Sequence, residues 1–165
     1  MAGSRPILAV DVDGVISIFG FDEGLESLRG EMRLIDGMLH CISLPAGDRL
    51  RRLSGHYDLV WATGWEDRAN DHLPSMLGLP PDLPVLRFGG RAVFGTAHWK
   101  VDAIDEYAGD RPLAWIDDNI DETCTEWAAA RAAPTLLVPT ESHLGLEEGH
   151  VDALLAWVES GFEPR

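Results

Sequence analysis

Four short segments concentrate side chains able to do chemistry: Asp11-Val12-Asp13-Gly14, Thr63-Gly64, Lys100 and Asp117-Asp118-Asn119. Two carboxylates in one segment and two in another would repel at close range and raise one another's pKa values unless a cation sat among them. Oxygen donors of this kind suit Mg²⁺, which accepts a few carboxylates and keeps several waters. Thr63, the Gly64 amide and Lys100 add donors for the remaining oxygens of a phosphoryl group. Together the set has the parts of a phosphoryl-transfer site, where positioning and charge neutralisation are the main requirements.

These segments need a scaffold that brings them to one place. Five short apolar runs recur, at Ile7–Val10, Leu59–Ala62, Val85–Phe88, Leu113–Ile116 and Thr135–Val138. They are nearly continuous in hydrophobicity, as strands covered on both faces are. Helical segments fall between or after them: Asp67–Leu77, with Pro74 expected to break or bend it, His98–Tyr107, the alanine-rich Asp121–Ala132, and Glu148–Glu159 with apolar residues at spacings of three and four. Alternating strands and helices imply an α/β protein, a three-layer Rossmann-like fold with a central parallel sheet of about five strands. Ligands of such sheets bind beyond the carboxyl ends of the strands. Asp11 and Asp13 follow the first run, Thr63 and Gly64 the second, and Asp117 and Asp118 the fourth, whereas the third and fifth ends carry no cluster. Val15–Phe21 and Met32–Leu44 read as a β-hairpin flap inserted after the first strand at about 15–45, joined by a Gly- and Glu-containing loop and followed by a helix near Asp48–Leu53.

The order Asp-x-Asp-Gly, strand-Thr, Lys, strand-Asp-Asp resembles the haloacid-dehalogenase-like superfamily of phosphatases and phosphotransferases. Ile7–Val15 is similar to its first motif, Val60–Trp65 to the second, Lys100 to the third and Leu113–Asn119 to the fourth. The resemblance implies an Mg²⁺-dependent phosphomonoester hydrolase with an aspartyl-phosphate intermediate. Asp11 would be the nucleophile, and Asp13 the acid and base that serves the leaving oxygen and then the water. Mg²⁺ would be held by an Asp11 oxygen, the Asp13 backbone carbonyl and Asp118, with Asp117 a water-mediated or outer partner. Thr63, Gly64 and Lys100 would bind the phosphate, and Gly14 fits a sharp backbone exit. Trp65 and Trp99 adjoin these residues and are expected in the pocket, with Phe19 and Phe21 of the flap above it.

Each piece has a plainer reading. Asp is common at strand-end turns, Thr63 could be a helix N-cap, and Asp121 and Glu122 are explained by the dipole of the helix they open. The six histidines match no zinc spacing. Trp61, Trp115, Trp127 and Trp157 fit core faces.

The 165 residues fit one domain, 1–165. A net charge of −15 argues against a general grip on nucleic-acid backbone, so a small phosphorylated substrate is the expected partner. The first apolar run is too short for an export signal, and no run approaches a membrane span. A cytoplasmic address and unpaired Cys41 and Cys124 are therefore expected. Two other functions share parts of the pattern: a phosphatase acting on polynucleotide ends, and a catalytically silent binding module. A phospho-accepting receiver domain also uses Asp, Thr, Lys and Mg²⁺, but places its acidic pair on the first strand.

Overall fold

The structure, a computed structural model, describes residues 4–21, 30–89 and 97–163. Strands β1 (Ile7–Val10), β5 (Asp58–Trp61), β6 (Leu113–Asp117) and β7 (Thr135–Pro139) form a parallel sheet in the order β5-β1-β6-β7. Successive side chains of a strand point to opposite faces, and here both faces are covered. Leu8, Val10, Ala114 and Ile116 join one core with Leu50 and Leu53 of α1 (Leu44–Ser54), Leu73 and Leu77 of α2 (Asp67–Leu77), and Leu154 and Trp157 of α5 (Glu148–Glu159). Ile7, Ala9, Leu113 and Trp115 join the other, with Val101 and Ile104 of α3 (Val101–Ala108) and Cys124 of α4 (Glu122–Ala130). The result is a helix–sheet–helix arrangement compatible with a Rossmann-like fold.

The chain leaves β1 to one side, forms β5, and returns to the other side as β6. That reversal opens a crevice at the carboxyl ends of β1 and β6, where open α/β sheets take their ligands.

Four strands are paired where five are expected. Val85 makes one parallel bridge to Trp61, and the Leu86 amide donates to the Trp61 carbonyl at 2.9 Å, but Val85–Phe88 forms no strand. Pro80, Pro81 and Pro84 precede it and lack the amide hydrogens a ladder needs.

A second, antiparallel sheet stands where the hairpin flap is expected, in the order β2 (Ser17–Ile18), β4 (Met38–Ile42), β3 (Glu31–Ile35). The tight hairpin lies within the second extended stretch: Ile35 pairs with Met38 around Asp36-Gly37, both at positive φ. That is the backbone a two-residue turn between twisted strands requires. Asp36 accepts from Arg68 Nε of α2 at 2.8 Å and contacts His72 Nε2 at 3.2 Å, which ties the turn to the main body. The Gly- and Glu-containing loop proposed for the flap lies outside the described residues.

Helix α1 begins earlier than expected, at Leu44, because Ser43 caps it and Pro45 fits its first turn. Helix α2 runs through Pro74 unbroken and stops at Gly78, in the left-handed conformation. Cys41 and Cys124 are unpaired and buried. Among the described residues no helix is long and apolar enough to cross a membrane.

Candidate functional site

The side chains singled out at the ends of β1 and β6 meet. Asp11 follows β1, and its amide donates to the Ile116 carbonyl of β6 at 3.0 Å, which locks the two strand ends together. Lys100 closes a 3-10 turn, His98–Lys100, that leads into α3. The turn is fixed from below by the Ala97 amide donating to the Asn119 carbonyl at 3.0 Å. This delivers Lys100 Nζ between two carboxylates, 3.0 Å from Asp11 Oδ1 and 2.6 Å from Asp117 Oδ2.

All three groups are out of solvent: Asp11 is 6%, Lys100 4% and Asp117 1% exposed. Charges so buried persist only when paired and hydrogen-bonded. Asp117 is satisfied on both oxygens, since its Oδ1 also accepts from the Asn119 amide at 3.0 Å. Asp11 Oδ1 accepts from the Val12 amide at 2.8 Å in addition to Lys100. Burial pushes the Asp11 carboxyl up to about 8, with Lys100 opposing the rise and Asp117 adding to it. The Lys100 ammonium is disfavoured by burial, yet the two carboxylates outweigh that and raise its pKa.

Asp118 lies half-buried beside this trio, its carboxyl raised to about 6 by burial and by Asp117. Oxygens of Asp11, Asp117 and Asp118 lie within 4.8 Å of one another. Three carboxylates against one ammonium leave a formal charge of −2, which one divalent cation would balance. The donors are all hard oxygens, as Mg²⁺ prefers. The approach of Asp118 depends on Gly14: its φ is +78°, and a Cβ there would run into the Asp118 carboxyl.

Asp13 is exposed, and its Oδ2 accepts from Trp65 Nε1 at 3.0 Å. Thr63 is buried, and its Oγ1 accepts from the Trp65 amide at 3.1 Å. It organises the turn before α2 and does not cap the helix, whose N-cap is Glu66. A cavity of about 510 Å³ opens over these groups, lined by Asp11, Asp13, Gly64, Lys100, Asp117 and Asp118 on the main sheet's side. Trp99 and Phe19 also line it. Trp65 is buried against Asp13 and the His40 ring, 4.8 Å between centroids, so Gly64 and Trp99 are the second-strand and lysine-flanking residues on the cavity surface.

The sequence reading passed over two residues. Thr140 follows β7, where no polar cluster is evident, yet its hydroxyl donates to the Gly14 carbonyl at 2.8 Å and its amide to the Asp117 carbonyl at 3.1 Å. Its signal was its place, two residues past the last apolar run and directly after β7. His40 lines the cavity, with Nδ1 2.9 Å from Ser17 Oγ. The alternation Met38-His40-Ile42 on an extended strand was the available hint. Asp121, at the start of α4, is that helix's N-cap, accepting from the Cys124 amide at 3.0 Å.

The fold and site thus define a class: an α/β protein whose parallel sheet carries a carboxylate cluster around a buried lysine. The chain matches no family model, no curated protein and no solved structure.

Proposed function

We propose that the chain is an Mg²⁺-dependent phosphomonoester hydrolase of the haloacid-dehalogenase-like type, working through an aspartyl-phosphate at Asp11. The observation that supports this most directly is the convergence of Asp11, Lys100, Asp117 and Asp118 at the carboxyl ends of two adjacent strands. An acidic pair held by a buried ammonium, with a third carboxylate beside it, suits a site that holds a nucleophile and a divalent cation together.

Asp11 and Asp118 carboxylates and the Asp13 carbonyl would hold the metal, while Asp117, engaged on both oxygens, fixes Lys100. When bound, Mg²⁺ supplies charge neutralisation for the phosphoryl oxygens. With Oδ1 held by Val12 and Lys100, Asp11 attacks phosphorus through Oδ2, and the bond to the leaving oxygen breaks. Asp13 donates its proton to that oxygen. Water then attacks the phosphoryl group, Asp13 takes the water's proton, and the bond to Asp11 breaks to release phosphate. The Trp65 indole holds Asp13 by one oxygen and leaves the other for this exchange. The Gly64 amide, on the cavity wall, would meet a phosphate oxygen, and Thr63, buried behind it, holds that turn by accepting from the Trp65 amide. Lys100 stays charged and counters the excess negative charge.

Hydrolysis of an aryl phosphate, with and without Mg²⁺, in wild type and Asp11→Asn tests the proposal. Expected is metal-dependent turnover that falls by at least about a hundredfold in the variant, the scale on which loss of an activated nucleophile is felt. Equal turnover in both proteins would refute the mechanism.

A further inference from the structure

The cavity over Asp11 has two unlike surfaces. The main sheet supplies its carboxylates, and the antiparallel sheet supplies Phe19, Met38 and Leu39, joined by Trp99. Phe19 is 47%, Met38 64% and Leu39 62% exposed, so large apolar side chains stand open beside the most polar groups of the protein. In register, Leu39 faces Leu34, which is 73% exposed, and apolar surface continues from the cavity wall along the sheet. Contiguous exposed apolar surface at a concave site marks a place where something apolar binds.

Charge narrows the choice. Among the described lining residues Lys100 is the one side chain always cationic, and it is engaged by Asp11 and Asp117. A second anionic group on the ligand would meet Asp13 and Asp118 with no free lysine or arginine side chain among the described lining residues to answer it. The volume of about 510 Å³ falls in the range of small-molecule sites, roughly 300–1,000 Å³.

From this we infer that the site takes phosphomonoesters whose leaving alcohol is apolar and uncharged, its hydrocarbon lying against Phe19, Met38, Leu39 and Trp99. The inference rests on the phosphatase reading for the phosphate end, and on the antiparallel sheet for the other. Sugar phosphates and nucleotides would forfeit the apolar contacts.

A series of n-alkyl phosphates from methyl to octyl tests it, because the acidity of the leaving alcohol barely changes along the series. Expected is a kcat/KM that rises about two- to fourfold per methylene until the wall is covered, as burial of each CH₂ implies. Glycerol phosphate and nucleoside monophosphates should stay near the methyl value. Leu39→Asp and Phe19→Ser, both changes at exposed positions, should flatten the series, and Leu34→Asp should flatten only its long end. The same chain-length dependence is read without catalysis by titrating n-alkylphosphonates against tryptophan fluorescence. Hydrolysis with a flat series overturns the substrate class and leaves the phosphatase intact. Phosphonate binding that strengthens with chain length, without hydrolysis of any ester, upholds the apolar site and removes the phosphatase reading. Self-association lost in Leu34→Asp, together with a flat series, would reassign the apolar strip to contact between copies.

Discussion

Lys100 is the residue whose loss the site tolerates least. It lies between Asp11 and Asp117 with almost no access to water, and each carboxylate depends on it for charge. Replacing it with Met keeps the length of the stem and removes the ammonium, leaving two buried acids facing each other. Breaking a buried pair in this way costs about 3–5 kcal/mol. The cost should depend on pH with a definite sign. Asp11 is already raised to about 8 with the lysine present, so without it Asp11 takes up a proton more readily and the penalty shrinks in acid. Lys100→Met should therefore be strongly destabilised in alkaline solution and much less so at about pH 5, as read by urea unfolding at the two pH values. A loss of equal size at both would mean that the lysine contributes through packing of its stem. Reading the sequence named Lys100, Asp11 and Asp117 by their order along the chain and their places at strand ends. The family resemblance set Asp118 apart from Asp117, but nothing in the sequence showed that Asp117 has both oxygens engaged, by Lys100 and the Asn119 amide. That follows from which oxygens are already bonded, a property of three-dimensional placement.

At the scale of elements, the site is built by strand ends and braced from an unexpected one. The β7–α5 connection reaches the loop after β1 through Thr140, whose hydroxyl holds the Gly14 carbonyl and whose amide holds that of Asp117. A buried carbonyl that loses its only side-chain donor costs about 1–3 kcal/mol, and here the carbonyl belongs to the glycine that lets Asp118 approach. Thr140→Val, similar in shape, should lower kcat severalfold with the fold intact, and Thr140→Ser should restore most of it, with circular dichroism as the check on folding. If Val and Ser behave alike, the hydroxyl has no positioning role. The four parallel strands were legible because each is a nearly continuous apolar run, fully buried in β1 and β6 and only partly so in the edge strand β7. The Val85–Phe88 run is apolar but for Arg87, and fails as a strand because the prolines before it remove ladder donors. The tight turn inside the second extended stretch was not legible for a different reason. Asp36-Gly37 is a strong turn signal, but the apolar Met32–Leu44 stretch around it reads as one extended segment unless the turn is given priority. The apolar face of that sheet was hidden too, since exposure is not written in a short run of Met and Leu.

The whole molecule carries a net charge of −15, and its most concentrated repulsion lies inside the site. Asp118 is raised from 3.8 to about 6 and Asp11 to about 8. Between 3.8 and those values the folded chain binds more protons than the unfolded one, so the metal-free protein must lose stability as pH rises through that window. Lys100, also raised, contributes stability that is lost in the same direction, but only as pH rises through its own alkaline range. Asp36 and Glu148, lowered by their arginine partners, contribute stability that is lost only in acid, as pH falls below 3.8 and 4.5 respectively. His150 does fall inside it: burial lowers its pKa from 6.5, so its contribution grows as pH rises. A plain stability profile therefore mixes two slopes. The difference made by a divalent cation separates them, because a cation bound by ionised Asp11 and Asp118 competes with their protons and leaves His150 untouched. Added Mg²⁺, against NaCl of matched ionic strength, should raise Tm little at about pH 5 and clearly more at about pH 8.5. At a hundred times its Kd the cation would add about 2.7 kcal/mol, roughly 5–10 °C for a chain of this size. Asp118→Asn should abolish most of that rise while making the metal-free protein more stable at the higher pH. A shift independent of pH, or one retained in Asp118→Asn, would mean that the cation acts on the surface charge at large and that the carboxylate cluster is not its site.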